Sequence, residues 1–277
     1  MKILTWNIQA TQGCDGNYDK NRTIERIKNF GDLDVICLQE VARNIPSLNA
    51  NDQLALIAKQ FTGFEVIWAP GFSVPDAAGI RCEFGNLTLV KKPLLKNART
   101  HILASPAVGE VQMTRTMAEV IVDAGERGIA IFNTHLAFHS MLEQVAQLND
   151  LTHLRDQIIS KINKTNDARA SGPYIYADSA EGVLLCGDLN IDSDSDEFKT
   201  HIINEQWYDC WDMQIRHENL ERQPTCGCFD SVQWPQGPHV RDYFLATEAT
   251  ARKTTNVTVD VETDASDHQP VLLDIDL

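Results

Sequence analysis

Short apolar runs dominate the chain. Residues 2–8, 34–38, 65–68, 87–90 and 117–122 form such runs, and so do 129–133, 183–186, 243–246, 257–261 and 271–275. Runs this short, rich in Leu and β-branched residues, predict strands. Helical spacing appears between them. Residues 21–30 carry Ile24 and Ile27, with Gly31 placed to stop the helix, and 52–61 carry Leu54, Ile57 and Phe61 on one face. Residues 140–162 repeat Leu142, Val145, Leu148, Leu151, Leu154, Ile158 and Ile162 at steps of three and four, and 196–204 reads as a short helix. Many strands mixed with few helices predict an α/β fold in which two sheets pack together with helices outside. Residues 69–84, punctuated by Pro70, Gly71, Pro75 and Gly79, and residues 165–182 read as irregular connections. Loops of this length are uncommon, so each is a candidate rim over a site, or else a mobile surface loop.

Polar residues collect at strand ends. Asn7 follows the first strand and Gln39-Glu40 the second. Asn133-Thr134-His135 closes the run at 129–133, and Gly187-Asp188-Leu189-Asn190 follows 183–186. Asp242 and Asp264-Ala265-Ser266-Asp267-His268 flank the last strands. Singly, each reads as a turn residue or a solvated strand end. Together they predict one sheet edge where carboxylates, amides and histidines form a cation site with an acid–base set.

The chain has 277 residues, long enough for one or two domains; without repeats or a Gly/Ser-rich linker, one domain over 1–277 is expected. Its 43% hydrophobic and 23% charged residues are ordinary globular usage. The formal charge of −15 excludes a protein that binds nucleic acid through bulk positive charge. It leaves room for an anionic substrate met through a divalent cation, which reverses the field locally. No apolar run is long enough to span a membrane. The first residues turn polar too early for a secretion signal, so a soluble cytoplasmic protein is expected. The odd count of seven cysteines then reads as reduced thiols. Cys226-Gly227-Cys228 with Cys210 or His217 would make a zinc site only at unusual spacing.

Six segments carry a family resemblance. Thr5-Trp6-Asn7-Ile8, Cys37-Leu38-Gln39-Glu40-Val41, Asn133-Thr134-His135-Leu136, Gly187-Asp188-Leu189-Asn190, Arg241-Asp242-Tyr243-Phe244 and Ser266-Asp267-His268-Gln269-Pro270 resemble, in order, the motifs of the endonuclease/exonuclease/phosphatase superfamily. The resemblance runs from Lys2 to Ile275 and implies a four-layer α/β sandwich of two mixed sheets face to face. It implies a hydrolase of phosphate esters that uses Mg²⁺ or Mn²⁺. By that resemblance Glu40 is the principal metal ligand, with Asn7 beside it and Asp267 opposite. Asp188 orients or deprotonates the attacking water. Asn190 donates to a phosphate oxygen, His268 contacts the phosphate while held by Asp242, and His135 faces the phosphate as well. Arg115 sits where some branches carry a phosphate-contacting arginine, and Glu83 is a candidate partner for His135.

The substrate is less legible. A phosphodiester is the leading reading, in a nuclease or related phosphodiesterase. A phosphomonoesterase or a lipid- or inositol-headgroup phosphoesterase on the same site is the alternative, and a catalytically silent binding module comes last, because all eight motif residues are present. Nucleic acid is thus one candidate partner, and no obligate protein partner is implied. Lys91, Lys92, Lys96 and Arg99 form one modest basic patch. Trp207, Trp211 and Trp234 are candidates for base stacking or for the core. His239-Val240-Arg241 places a cation beside the Asp242 motif.

Overall fold

A computed structural model describes residues 1–106, 113–125, 127–161, 180–214 and 221–277. Strands are numbered in chain order. The first sheet holds β1 (Lys2–Asn7), β2 (Val35–Arg43), β3 (Phe64–Pro75), β4 (Arg81–Lys91), β11 (Thr254–Val259) and β12 (Val271–Ile275), in the order β11-β12-β1-β2-β4-β3. The second holds β5 (Leu95–Ile102), β6 (Thr116–Asp123), β7 (Gly128–His135), β8 (Ala180–Asp188), β9 (Tyr208–Asp209) and β10 (Asp242–Ala246), in the order β5-β6-β7-β8-β10-β9. Each sheet has one parallel pair at its centre, β1 with β2 and β7 with β8, and antiparallel pairs elsewhere. This is the predicted sandwich of two mixed sheets.

The unbroken apolar runs follow from burial on both faces. Ile3, Val35 and Cys37 point into the core between the sheets, with Ile131, Leu184 and Cys186 opposite. Their alternates Leu4, Ile36 and Leu38 face outward under helices α1 (Lys20–Asn29) and α2 (Gln53–Gln60). Phe132, Val183 and Leu185 do the same under α3 (Met141–Ile159). Asp19, Asp52 and Ser140 cap the three helices by accepting backbone N–H bonds. Buried polar side chains also join the sheets. Gln39 Nε2 donates to Asn133 Oδ1 at 2.7 Å and to Thr5 Oγ1 at 3.0 Å, and Asn133 Nδ2 donates to Thr88 Oγ1 at 3.0 Å.

Three expectations change. Residues 69–84 are not an irregular loop but most of a hairpin: β3 and β4 pair through Pro75 and Arg81, with a register shift between Pro70 and Phe72. Pro70 is tolerated because β3 is an edge strand with a bulge. Strand β5 went unpredicted because its residues alternate half-buried and exposed and include Lys96, Arg99 and His101, a charged edge strand. Three of the four cations of the basic patch are paired: Lys91 with Asp32 and Asp34, Lys96 with Asp123, and Arg99 with Glu119. Ile162, most of the 165–182 connection and His217 lie outside the described residues, while residues 180–182 begin β8.

Candidate active site

The carboxyl ends of the two parallel pairs meet at one end of the sandwich, the position where open α/β sheets place ligands. Asn7 ends β1, His135 ends β7 and Asp188 ends β8. Glu40 reaches the same place by a local distortion. An extra residue shifts the β2–β4 register between Leu38 and Val41, and Glu40 takes φ of 57°. Non-glycine residues hold such a backbone only where the surroundings enforce it, at a cost on the order of 1–3 kcal/mol. Gly187 serves the neighbouring strand. Its φ is 131°, and a Cβ there would lie 1.9 Å from Thr134 O. Only glycine lets β8 run this close to β7 and deliver Asp188 opposite His135.

Glu40, His135, Asp188, Asn190, Asp267 and His268 line one cavity of about 440 Å³, with Arg241 and Trp234 in its wall. Asn7 and Asp242 stand behind it. Asn7 Nδ2 donates to Glu40 Oε1 at 3.1 Å and to Asp188 Oδ2 at 3.0 Å, while Asn7 Oδ1 accepts from Gln9 N at 3.1 Å. Asn7 therefore meets Glu40 as a donor. Asp188 Oδ1 accepts from Asn190 N at 2.9 Å. Asp188 Oδ2 lies 3.4 Å from His135 Nε2 and 3.6 Å from His268 Nε2.

The two histidines differ electrostatically. His135 is buried and faces Arg115, and both effects oppose a charge, so its pKa is pushed down to about 3. It is a neutral imidazole whose Nε2 accepts from Asn190 Nδ2 at 3.0 Å, which leaves its proton on Nδ1. Burial also opposes a charge on His268. Asp242, Asp188 and Asp267 outweigh that burial and hold its pKa well above the usual histidine range. Asp242 Oδ2 accepts from His268 Nδ1 at 2.8 Å and from Thr225 Oγ1 at 2.7 Å.

Glu40 stands out among the acids. Burial, then the negative charge of Asp267, push its carboxyl up to about 7. Two carboxylates lining one cavity, each charge opposing the other, suit a hard divalent cation, which takes oxygen donors and keeps several waters. Asp188, Asp242 and His268 also bring ligand atoms within 4.8 Å of one another. That trio suits a cation less well, because an imidazolium held between two carboxylates offers no lone pair.

Several expected partners sit elsewhere. Glu83 bonds Arg43, Ser73 and Trp68, not His135, because β4 carries it to the hairpin side. Trp207 and Trp211 are core residues, and only Trp234 reaches the cavity, donating from Nε1 to Asp267 Oδ2 at 3.1 Å. All seven cysteines are free; Cys210 packs between the sheets, while Cys226 sits against His239 at 3.4 Å. Both amide hydrogens of Asn190 are engaged, by His135 and by Leu136 O at 3.1 Å. Arg241 reaches Asn190 O and Oδ1 at 3.2 and 3.3 Å and stacks 5.0 Å over Trp234. Arg115 is buried just before β6, and its Nε and Nη1 have no partner among the described residues. It lines a small void shared with Glu40 and His135.

Two glutamines that the sequence reading missed brace the site. Gln53 on α2 accepts from Ala42 N at 2.9 Å and donates to Ala10 O at 2.6 Å, tying the turn after β1 to β2. Gln144 on α3 donates to Ala137 O at 3.1 Å, Leu189 O at 2.9 Å and Asn190 O at 3.0 Å, tying the ends of β7 and β8. Each sheet thus has a buried helix amide bracing the end of its parallel pair. The only signal in the sequence was a polar residue on a helix face that packs inward.

Comparison with known proteins identifies the family and the fold. A profile described as the Endonuclease/Exonuclease/phosphatase family matches residues 4–268. The chain belongs to that family. No curated protein matches the sequence. Among solved structures, an endonuclease/exonuclease/phosphatase from Beutenbergia cavernae is 22% identical with a TM-score of 0.69, the match covering 99% of this chain and 70% of that one. A mannosyl-6-phosphatase from Bacteroides thetaiotaomicron is 14% identical with a TM-score of 0.71, covering 99% of both chains. The human Nocturnin catalytic domain, with bound sulfate, is 16% identical with a TM-score of 0.62, covering 99% of this chain and 93% of that one. At these identities the likeness concerns the fold. Among the described residues, no helix is long and apolar enough to cross a membrane.

Proposed function

We propose that the protein is a divalent-metal-dependent phosphoesterase that hydrolyses a phosphodiester by in-line attack of water. One observation carries the reading: Glu40, Asp188, Asp267 and His268, far apart in sequence, line a single cavity. Glu40 and Asp267 are the proposed ligands of Mg²⁺ or Mn²⁺, with Asn7 holding Glu40 from behind. A bound cation there supplies charge neutralisation on the phosphate and the leaving oxygen. Asp188, fixed by Asn7 and by Asn190 N, orients the water and accepts its proton. His268, kept charged by Asp242, faces the phosphate. Arg241 in the cavity wall, and Arg115, whose Nε and Nη1 have no partner among the described residues, are the proposed contacts of the non-bridging oxygens. Asn190, its hydrogens engaged, holds His135 in its neutral form.

The cavity volume suits a small group or headgroup. The pairing of Lys91, Lys96 and Arg99 and the burial of Trp207 and Trp211 weaken the case for a long nucleic acid and leave Trp234, in the cavity wall, as the stacking candidate. The test is turnover of bis-p-nitrophenyl phosphate, p-nitrophenyl phosphate, plasmid DNA, abasic duplex and phosphoinositides by metal-stripped protein with Mg²⁺ or Mn²⁺ restored. Asp188→Ala, Glu40→Ala and His268→Ala should each cut turnover by at least ~10²-fold. Wild-type rates in these variants would refute their roles, and preference for a monoester over every diester would overturn the diester reading.

A further inference from the structure

The turn after β1 is held in a conformation its residues avoid. Gln9, Ala10 and Thr11 take φ of 45°, 49° and 67°, and none is glycine. Such a left-handed run persists only where the surroundings enforce it. Here Thr11 N donates to Ile8 O at 2.7 Å, Asp19 N to Thr11 O at 2.9 Å and Gln53 Nε2 to Ala10 O at 2.6 Å. The turn brings Gln9 into the cavity wall. In the orientation of its amide that satisfies both ends, Nε2 donates to Asp267 Oδ1 and to Gln12 O, each at 3.2 Å, and Oε1 accepts from Gln233 Nε2 at 2.8 Å. Gln233 Nε2 spends its other hydrogen on Asp230 Oδ2 at 2.8 Å. The amide hydrogens of both glutamines are thus engaged, and none is left to meet a substrate. From the other side, Trp234 Nε1 donates to Asp267 Oδ2 at 3.1 Å. The indole is itself fixed: Arg241 lies over its face at 5.0 Å, and the His268 ring meets it nearly edge-on with centroids 5.6 Å apart. Stacking on a substrate would require none of these contacts.

We propose that Gln9 and Trp234 are positioning residues that clamp the Asp267 carboxylate, one donor to each oxygen, in place for a divalent cation shared with Glu40. The clamp rests on the proposed cation site for its purpose and on the hydrogen bonds alone for its existence. Asp267 needs holding, because Glu40 lines the same cavity and the two negative charges oppose each other. Asn7 Nδ2 already fixes Glu40. With no donor on its oxygens, Asp267 would be free to turn away from that charge, and a cation would have to draw the pair together as it binds. With the clamp, their placement is set when the chain folds. A carboxylate oxygen that accepts one hydrogen bond keeps a lone pair, so the clamp leaves Asp267 able to bind an ion. The strained turn belongs to the same device, since it carries Gln9 across to Asp267.

The test is titration of Mn²⁺ into the metal-stripped full chain, followed by calorimetry, so that binding is read apart from turnover. Trp234→Phe keeps an aromatic ring and removes one donor; Gln9→Leu keeps the approximate shape and removes the other. Each should bind Mn²⁺ at least ~10-fold more weakly than the wild type, the scale for losing a group that holds a metal ligand. Ile57→Val, a core change under α2, is the control for lost stability and should bind as the wild type does. A second measurement needs no metal. In EDTA the assigned indole N–H cross-peak of Trp234 should move upfield in Asp267→Ala, by more than that of any other tryptophan. Unchanged Mn²⁺ affinity in either clamp variant, an equal loss in Ile57→Val, or an indole cross-peak indifferent to Asp267→Ala would overturn the proposal. If Trp234→Phe fails to fold, Gln9→Leu decides it. A wild type that binds no Mn²⁺, but whose Trp234 indole follows Asp267, would remove the cation site and leave the two donors on Asp267 standing.

Discussion

Gln144→Leu is the sharpest test of how the site is held. The Gln144 amide is buried and donates to three carbonyls, Ala137 O, Leu189 O and Asn190 O. Leucine fills a similar volume and donates nothing. A neutral hydrogen bond contributes about 1 kcal/mol, and the two amide hydrogens are shared among the three carbonyls, so their loss costs about 2 kcal/mol, softened at Asn190 O because Arg241 Nη1 still donates there at 3.2 Å. For a chain of this size that is a fall in Tm of roughly 4–8 °C. The kinetic effect is separate. Leu189 and Asn190 follow Asp188 directly, and Ala137 lies two residues beyond His135. Freeing both segments moves His135 and Asn190 relative to Asp188, and a misplacement of ~1 Å costs up to ~10²-fold in rate. The assay is kcat and KM on bis-p-nitrophenyl phosphate well below the variant's Tm, with Gln147→Leu as the control. Gln147 is also buried and bonds Ala137 N, Ala104 O and Glu143, but it touches neither Leu189 nor Asn190. Gln144→Leu should lose kcat with little change in KM, and Gln147→Leu should lose Tm with most of kcat kept. Equal kcat losses in the two variants, or a Gln144→Leu that loses only Tm, would refute the positioning role.

Two further outcomes follow from the charges in the cavity. Glu40 has its pKa raised from 4.5 to about 7, so in EDTA its contribution to stability falls as pH rises through that window, where the unfolded chain ionises more readily than the folded one. Glu40→Gln should flatten that part of the Tm–pH curve, and Mn²⁺ affinity measured by calorimetry should weaken below about pH 7 in the wild type as protons compete for the carboxylate; a Glu40→Gln protein with the wild-type curve would count against the partly buried, charge-opposed carboxyl. Asp242→Asn keeps the shape beside His268 but removes the largest source of its raised pKa. The alkaline limb of the rate profile should then move to lower pH, with the His268 ring titration followed by NMR, and an unmoved limb would show that Asp242 does not set that charge.

What the sequence disclosed and what it hid divide along a physical line. Apolar runs were readable because strands buried on both faces leave no polar alternation, so the sheet-forming segments and the residues ending β1, β7 and β8 could be placed from pattern alone. Strand β5 hid because an edge strand carries charges, and the 69–84 hairpin hid because Pro70 and Gly71 are punctuation in a chain but bulge residues in an edge strand. In the site, the groups that face the cavity were legible by type, since Glu40, Asp188, Asp267 and His268 sit beside strands where carboxylates and imidazoles have no packing role. Their holders were not. Arg241 appeared as a cation of no fixed purpose, Asn190 as a donor to substrate rather than to His135, and Gln53 and Gln144 as ordinary helix residues. A holder acts through backbone carbonyls supplied by another element, and those partners exist only once helix and sheet have packed. The same asymmetry explains why Glu83 was paired wrongly: the family resemblance suggested His135, while the β2–β4 register puts Arg43 opposite it. Where an acid pairs is thus decided by the register of its strand, and a sequence motif can name the acid without naming its partner.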